Sequence, residues 1–351
     1  MTEPDARGRL NAAARERVLV FDGAFGTQIQ NRGLTEADYA GDLGLDADQK
    51  GNNDILALTR PDVIADITRA YLDAGSDVVS TNTFSANTIS QADYAAQSVV
   101  RDINIASGKL ARDLADEYAA SDGRPRFVAG AIGPTNKTLS LSPDVEDPGF
   151  REITFDYLVS VYKDQAAALV EGGVDFILIE TIFDTLNAKA GIFAIKQLEA
   201  ELGRDVPVML SMTLTDLSGR NLSGHTVEAF WYAVRHAKPV TIGLNCSFGA
   251  EQLRPHLQLL SQIADTLVLA YPNAGLPNEL GEYDEAPETT AALVRQWAEN
   301  SRVNILGGCC GSTPAHIAAM AQAVEGLAPR PVPERDTKMR LAGLEPFTLA
   351  A

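Results

Sequence analysis

Short apolar runs alternate with longer amphipathic segments along most of the chain, and the alternation repeats about eight times. The apolar runs are nearly continuous, which is typical of parallel strands buried on both faces. They predict eight strands, at residues 18–21, 77–81, 127–131, 176–179, 208–213, 241–244, 266–270 and 304–306. The amphipathic segments predict eight helices, at residues 61–74, 99–119, 150–171, 185–202, 226–237, 251–263, 289–299 and 313–324.

Equal numbers of strands and helices in alternation favour an α/β fold of the (β/α)8 TIM-barrel type over a doubly wound open sheet. We expect the barrel to span residues 16–326, between an N-terminal extension (1–15) and a C-terminal tail or linker (327–351). Active-site residues of such barrels lie at the C-terminal mouth of the strands. The residues that follow each predicted strand are therefore the first candidates for function.

The composition excludes several partners. The chain has 351 residues with 29 Lys and Arg against 47 Asp and Glu, a formal net charge of -18, which argues against nucleic acid or an anionic membrane surface. It contains no apolar run of the roughly 20 residues that a membrane-spanning helix needs, and residues 1–17 are too polar for a signal peptide. The hydrophobic fraction of 45% is typical of globular chains. We therefore expect a cytoplasmic protein.

All three cysteines follow predicted strands: Cys246 follows one, and Cys309 and Cys310 follow another. An odd, low number of cysteines in such a chain does not suggest a disulfide framework. A single buried cysteine is usually a small core residue. Three thiolates that converge on one point, however, would hold Zn²⁺ and leave its fourth tetrahedral position open, as in catalytic zinc sites. A thiol substrate would fit that position.

Other polar side chains also follow predicted strands, and in a barrel they would face the same mouth. Asp22 and Glu180 are carboxylates at two different strand ends that could converge on one cationic group, although a glycine follows Asp22 and an ordinary turn role stays open. The backbone N–H groups of the turn that begins at Ser247 precede a predicted helix and suit an anionic group such as a carboxylate. Asn82 and Thr135 are expected to supply supporting hydrogen bonds.

Three motifs resemble those of the zinc-dependent homocysteine S-methyltransferases: Asp-Gly-Ala-Phe-Gly-Thr at 22–27, Gly-Leu-Asn-Cys at 243–246 and Gly-Gly-Cys-Cys-Gly at 307–311. Further segments resemble, more specifically, the homocysteine-binding module of cobalamin-dependent methionine synthase: 51–54, 81–84, 133–136, 141–145, 179–181 and 271–277. The resemblance covers residues 15–325. Beyond it, residues 340–347 resemble the segment that leads into the folate domain of that enzyme.

The resemblance implies methionine synthesis from L-homocysteine. Asp22 and Glu180 would then bind the ammonium group of this substrate, and the N–H groups of the turn at 247–249 would bind its carboxylate. It implies that zinc on Cys246, Cys309 and Cys310 activates the substrate thiol, and that Asn273 is a possible fourth ligand when substrate is absent. The methyl group would come from methylcobalamin, carried by a cobalamin- and folate-binding module on a separate chain or in missing domains. Two alternatives stay open: a self-sufficient transferase that uses S-methylmethionine or betaine, and a non-catalytic scaffold whose zinc is fully ligated by protein.

Overall fold

The computed structural model describes residues 5–349, and a parallel eight-stranded barrel forms its centre. The strands are β1 Leu19–Val20, β2 Val78–Ser80, β3 Phe127–Ile132, β4 Phe176–Ile182, β5 Val208–Met212, β6 Thr241–Gly249, β7 Leu267–Asn273 and β8 Ile305–Leu306. They pair in the order β1-β8-β7-β6-β5-β4-β3-β2, and a parallel bridge between Phe21 and Val78 joins β1 to β2. The predicted barrel is confirmed, and the open sheet is excluded.

Twelve α-helices lie in the described part of the chain, and eight of them alternate with the strands of the barrel. They are α1 Ala6–Glu16, α2 Phe25–Gln30, α3 Glu36–Ala40, α4 Leu56–Thr59, α5 Pro61–Asp73, α6 Val100–Asp122, α7 Phe155–Glu171, α8 Thr185–Leu202, α9 Val227–Val234, α10 Ala250–Ile263, α11 Pro287–Glu299 and α12 Pro314–Val324. Helix α7 begins later than residue 150 because the Thr154 side chain accepts a hydrogen bond from the Tyr157 N–H and caps the first turn.

Helix α1 closes the N-terminal end of the barrel. Asp5 caps it by accepting a 2.7 Å hydrogen bond from the Gly8 N–H. Leu10 and Ala14 lie one turn apart on its inner face and are buried with the side chains of the barrel interior. This helix was not among those predicted, because only two buried apolar positions in a charged segment give almost no periodic signal. With this end sealed, the opposite mouth is left for chemistry.

Strand β4 shows why the apolar runs are nearly continuous. Phe176 and Leu178 point into the barrel interior, whereas Ile177 and Ile179 pack in the layer between the strands and the helices. Side chains alternate between the two faces of a strand, and in a barrel wrapped by helices both faces are apolar. At about 25 cal/mol per Å² of apolar surface removed from water, this two-sided burial is the main stabilising contribution to the fold.

Two strands lose their regular pairing near the mouth. The pairing of β4 with β5 shifts register between Ile179 and Ile182, and that of β6 with β7 shifts between Asn245 and Gly249. Such β-bulges bend a strand and re-aim its side chains. Strand β6 extends to residue 249 instead of ending at 244, because its pairing with β7 resumes after the bulge, where Gly249 pairs with Asn273.

A small hairpin follows the barrel. Strands β9 (Arg340–Ala342) and β10 (Pro346–Thr348) pair antiparallel, and the Arg340 guanidinium lies 5.1 Å from the centre of the Tyr232 ring on α9. Such a cation–π contact helps to hold the hairpin against the barrel. Within residues 5–349, no helix combines the length and the apolar character that crossing a membrane requires.

Gly243 offers a test of the tight contact between β6 and β7. A Cβ atom there would lie 2.4 Å from the Leu269 carbonyl oxygen, a backbone atom that cannot move aside. We expect Gly243→Ala to lower the free energy of unfolding by about 1–3 kcal/mol, measured by urea denaturation. Gly26→Ala is the matched control, because a Cβ there meets nothing within 4 Å and alanine favours the helix. Equal effects of the two substitutions would contradict this packing.

Candidate metal centre and adjoining pocket

A pocket of about 410 Å³ opens at the C-terminal mouth of the barrel. The ends of six strands (β1, β2, β4, β6, β7 and β8) contribute to its lining. The predicted site residues that line it are Asp22, Asn82, Glu180, Cys246, Cys309 and Cys310. The prediction that chemistry-bearing side chains gather at this mouth therefore agrees with the structure for these six residues.

The sulfur atoms of Cys246, Cys309 and Cys310 all lie within 4.8 Å of one another. The Cys246 and Cys310 sulfurs are 3.7 Å apart. A tetrahedral zinc with Zn–S bonds of about 2.3 Å would place its sulfur ligands about 3.8 Å apart. The spacing of these two sulfurs thus suits a zinc ion without rearrangement, and the role of the three cysteines as ligands stays a prediction.

Cys246 reaches this cluster through an unusual backbone. Cys246 and Ser247 have φ angles of 60° and 61°, in the left-handed region that residues with side chains rarely adopt. The Ser247 hydroxyl forms a 2.8 Å hydrogen bond with the Thr213 hydroxyl, which fixes the turn to β5. Backbone strain of this kind persists only where the surroundings enforce it, and it is concentrated at functional sites.

Close packing explains the glycines around the other two cysteines. A Cβ atom at Gly308 would lie 2.2 Å from the Ser312 hydroxyl oxygen. Gly311 has a φ of 78°, and a Cβ there would lie 2.2 Å from the Tyr283 Cβ. The glycines therefore allow the cysteine pair to sit in a turn that side chains would force open.

Backbone hydrogen bonds attach the cysteine pair to the end of β7. The Cys309 N–H donates to the Pro272 carbonyl at 2.7 Å, and the Ala274 N–H donates to the Cys310 carbonyl at 2.9 Å. The two sulfurs are thus held by the main chain of the neighbouring strand end. A site held in this way keeps its geometry without depending on flexible side chains.

The cluster stabilises a thiolate. Hydrogen bonds from Cys246 and Cys309 lower the pKa of Cys310 to about 3, and the Tyr283 hydroxyl adds to this effect. Hydrogen bonds from the Cys309 thiol to Cys246 and Cys310 raise the pKa of Cys309 well above its usual value. The cluster therefore favours the thiolate form at one sulfur by hydrogen bonds from its neighbours. A divalent metal would favour the deprotonated form of all three, because metal ligation requires thiolates.

Asn273 lies at the end of β7, beside the cysteine pair, and is 1% exposed. Its side-chain nitrogen is 3.5 Å from the Tyr283 hydroxyl, whereas its side-chain oxygen has no hydrogen-bond partner. A buried acceptor without a donor is unfavourable unless something else occupies it. The orphaned oxygen therefore fits the role of a fourth metal ligand, which stays a prediction.

Asp22 and Glu180 lie close enough for their charges to interact. Burial raises the pKa of Asp22 to about 7, against hydrogen bonds from the Ser80 N–H and hydroxyl, and the Glu180 charge raises it further. Burial also raises the pKa of Glu180 to about 7, although its carboxylate accepts a 3.0 Å hydrogen bond from the Tyr271 hydroxyl. Within residues 5–349, neither carboxylate forms an ion pair. A cationic group bound between them would stabilise both charges.

The remaining predicted residues lie in different surroundings. Asn82 lines the pocket and donates a 2.7 Å hydrogen bond to the Asn53 carbonyl. Thr135 and Ser247 are not among the residues that line the pocket, and the Thr135 hydroxyl donates to the Lys137 carbonyl at 2.8 Å. The structure thus brings Asn82 to the pocket but leaves Thr135 and the Ser247 side chain outside its lining. Their roles in substrate binding stay predictions.

Asp54 is a pocket residue to which the sequence analysis assigned no role. It is 5% exposed, accepts hydrogen bonds from the N–H groups of Phe84 and Ser85, and burial raises its pKa to about 7. It lies in a 3-10 turn, Asn53–Ile55, far along the chain from any strand end, and its only sequence signal is that it belongs to the 51–54 segment of the resemblance. Asn245 and Tyr271 received no role either, because they lie within strands, where polar residues are easily interpreted as structural.

The comparison with known proteins establishes the family. The sequence profile of the homocysteine S-methyltransferases matches residues 19–324. The chain therefore belongs to the homocysteine S-methyltransferase family, as the sequence motifs predicted.

Solved structures of the homocysteine methyltransferase MmuM from Escherichia coli are similar in fold. The metallated form matches with a TM-score of 0.68 and 23% sequence identity, over 90% of this chain and 99% of that chain. The oxidized form matches with a TM-score of 0.67 and 22% identity, over 87% and 95%. At this level of identity the similarity extends to the barrel architecture and no further.

The buried Asp54 carboxyl predicts a pH dependence of stability. Its pKa is near 3.8 in the unfolded chain and about 7 in the folded protein, so the native state holds the extra proton between these values. Its contribution to stability is therefore lost as the pH rises, by about 3 kcal/mol between pH 5 and pH 8. Asp54→Asn should remove that part of the pH dependence, measured by urea denaturation at both pH values.

The exposed Asp113 provides the control for this experiment, since Asp113→Asn changes the same chemical group on the outer surface of α6. Its stability should follow the wild-type pH profile. A wild-type profile for Asp54→Asn as well would contradict the raised pKa.

Proposed function

We propose that the protein is a zinc-dependent homocysteine S-methyltransferase of the methionine synthase type, which transfers the methyl group of methylcobalamin to homocysteine. The convergence of three thiols beside two carboxylates in one pocket carries this proposal. The thiols suit a soft divalent metal that binds a substrate thiol, and the carboxylates suit the ammonium group of an amino acid. Homocysteine contains both groups.

The cysteine cluster would hold the zinc through Cys246, Cys309 and Cys310, with Asn273 as the fourth ligand in the resting protein. The 3.7 Å sulfur spacing and the unpaired Asn273 oxygen support this assignment. When bound, zinc supplies Lewis acidity that keeps a substrate thiol deprotonated near neutral pH, where a free thiol with a pKa near 8.5 is mostly protonated. Zinc has no redox chemistry, which suits transfer of a methyl group to sulfur.

The pocket residues would orient the amino-acid end of homocysteine. Asp22 and Glu180 bind its ammonium group. The pKa values of both carboxyls are raised to about 7, so a bound ammonium group would stabilise their ionised forms. The backbone N–H groups at Ser247 and at the start of α10 bind its carboxylate, because the first turn of a helix carries free N–H groups and partial positive charge. Asn82 and Thr135 complete the proposed contacts.

The methyl group would arrive from outside the barrel. The substrate sulfur forms a bond to the methyl carbon as the bond between that carbon and the donor breaks, and the electron pair of the broken bond stays with the donor. Exposed apolar side chains on the loops around the mouth support a partner domain or chain that presents methylcobalamin: Phe84, Val145, Leu217, Leu222, Leu276 and Leu280. The resemblance of residues 51–54, 141–145 and 271–277 to methionine synthase points to the same donor.

A self-sufficient transferase is the second candidate. Escherichia coli MmuM is named a homocysteine methyltransferase, and 99% of that chain is matched by this one. A small donor such as S-methylmethionine or betaine would need to enter the same pocket beside homocysteine. Methionine formation by the purified protein from homocysteine and either small donor would favour this candidate. Methionine formation only with methylcobalamin as donor would favour the methionine synthase type.

Zinc-edge X-ray absorption tests the metal centre. We expect three sulfur neighbours in the resting protein and four after addition of homocysteine, because the substrate thiol takes the open position. Cys309→Ala should lose most of its zinc. Ser312→Ala is the matched control, since the neighbouring Ser312 hydroxyl is buried and has no hydrogen-bond partner, so its loss should leave zinc in place. An unchanged shell with homocysteine would indicate a non-catalytic zinc scaffold.

Phe84 tests the docking of a donor-carrying partner. Its side chain lines the pocket and is 39% exposed at the rim. We expect Phe84→Ala to slow methyl transfer from protein-bound methylcobalamin roughly tenfold, because aromatic anchors dominate interfaces, with zinc content unchanged. Phe193→Ala is the control, since Phe193 is exposed on the outer surface of α8. Loss of zinc in Phe84→Ala would contradict an interface role.

A further inference from the structure

Strand β4 ends in a β-bulge that carries Glu180. Ile179 pairs with Leu210 and Ile182 pairs with Met212, so three steps along β4 correspond to two along β5. Up to Ile179 the side chains alternate regularly between the barrel interior and the helix layer, but Ile182 also packs in the helix layer, where alternation would have placed it in the interior. The extra residue in the bulge thus lets two consecutive residues, Glu180 and Thr181, line the pocket.

The bulge places Thr181 in an unfavourable conformation. Its φ is 54°, in the left-handed region, which β-branched residues adopt very rarely because the side chain crowds the backbone. An isolated threonine would relax to an extended conformation. Rotation at Thr181 would change the path of the strand end on which Glu180 sits, so the direction of the Glu180 carboxylate depends on whatever holds Thr181.

Asn245 supplies that restraint. Its side-chain oxygen accepts hydrogen bonds from the Thr181 N–H at 3.1 Å and from the Ser211 hydroxyl at 2.6 Å, and its side-chain nitrogen donates to the Thr181 hydroxyl at 2.9 Å. The bulge interrupts the β4–β5 ladder at Thr181, and the Asn245 amide provides an acceptor for its N–H instead. Asn245 is fully buried, so water cannot replace these bonds.

A second residue holds the other end of Glu180. Tyr271 is the parallel pairing partner of Asn245 across β6 and β7, and its hydroxyl donates to the Glu180 carboxylate at 3.0 Å. The backbone beside Glu180 is thus held from β6 and its carboxylate from β7. Asn245 also directly precedes Cys246, so one strand end carries both a sulfur of the cluster and the amide that restrains the bulge.

We infer that Asn245 is a positioning residue: by holding Thr181 in the left-handed conformation, it aims the Glu180 carboxylate at the substrate. The substrate part of this inference rests on the proposed function, in which Glu180 binds the ammonium group of homocysteine. Asn245 contacts Thr181 and Ser211, neither of which carries the chemistry, so its effect reaches the substrate through the backbone.

The experiment measures homocysteine binding by calorimetry, together with zinc content, on zinc-loaded protein. We expect Asn245→Ala to raise the Kd for homocysteine about tenfold or more, as loss of an orienting partner does, and to keep its zinc. Asn304→Ala is the matched control. Asn304 is an equally buried asparagine at the opposite end of the barrel, and it also bonds a backbone N–H (Val268, 2.9 Å) and a second polar group. It should lose stability but retain the wild-type Kd.

A second substitution separates positioning from general loss of structure. Glycine adopts the left-handed region without strain, so Thr181→Gly needs no restraint from Asn245. The double variant Asn245→Ala/Thr181→Gly should therefore recover most of the affinity that Asn245→Ala loses. A wild-type Kd for Asn245→Ala would overturn the inference. Loss of zinc in Asn245→Ala would also overturn it, because Asn245 would then act through Cys246. So would weak homocysteine binding that Thr181→Gly does not restore, because Asn245 would then act through the fold as a whole.

The conformational part can be tested without substrate. Crystal structures of the wild-type and Asn245→Ala proteins should show Thr181 with positive φ in the first and negative φ in the second. Unchanged φ at Thr181 would overturn the positioning role. If the wild-type protein failed to bind homocysteine while Thr181 relaxed as expected, the proposed substrate would be wrong and the role of Asn245 in holding the bulge would stand.

Discussion

The close approach of three sulfur atoms is the constraint on which the rest of the site depends. The sulfurs lie within 4.8 Å of one another and come from the ends of two strands, β6 and β8. The chain achieves this by accepting a left-handed backbone at Cys246 on one side and a glycine-lined turn around Cys309 and Cys310 on the other. Both distortions oppose folding. They persist because the buried apolar layers on each side of the strands supply far more stability than the distortions remove.

The site also concentrates negative charge in a buried place. Three potential thiolates lie beside Asp22 and Glu180, and within residues 5–349 no lysine or arginine pairs with either carboxylate. Burial without a cationic partner raises the pKa of both carboxylates to about 7, so the protonated form is favoured more than it would be in water. A soft divalent metal at the sulfurs and an ammonium group at the carboxylates would each supply positive charge that the described residues lack there.

The sequence was sufficient for the barrel and for the cysteine cluster, because both follow from local rules. Apolar runs identify buried parallel strands, and residues after such strands meet at one mouth, which brought Cys246 and Cys309 together in the prediction. The bulges could not be predicted, since their left-handed residues include Thr181 and Cys246, which carry no glycine signal. Helix α1 was missed because Leu10 and Ala14 are too few apolar positions for a periodic pattern. Asp54 was missed because its importance comes from burial, which depends on the packed fold.

The distortions are coupled. Asn245 restrains Thr181 across the barrel, and the next residue along β6 is Cys246, so the carboxylate at the end of β4 and the sulfur at the end of β6 share one support. Alternate strands of a barrel contribute to the same layer of side chains, which explains how β4 and β6 meet although β5 lies between them. A one-residue shift at the end of β6 would therefore displace the Cys246 sulfur and the Glu180 carboxylate together. The Asn245 amide from β6 and the Tyr271 hydroxyl from β7 thus fix the position of the Glu180 carboxylate relative to the Cys246 sulfur.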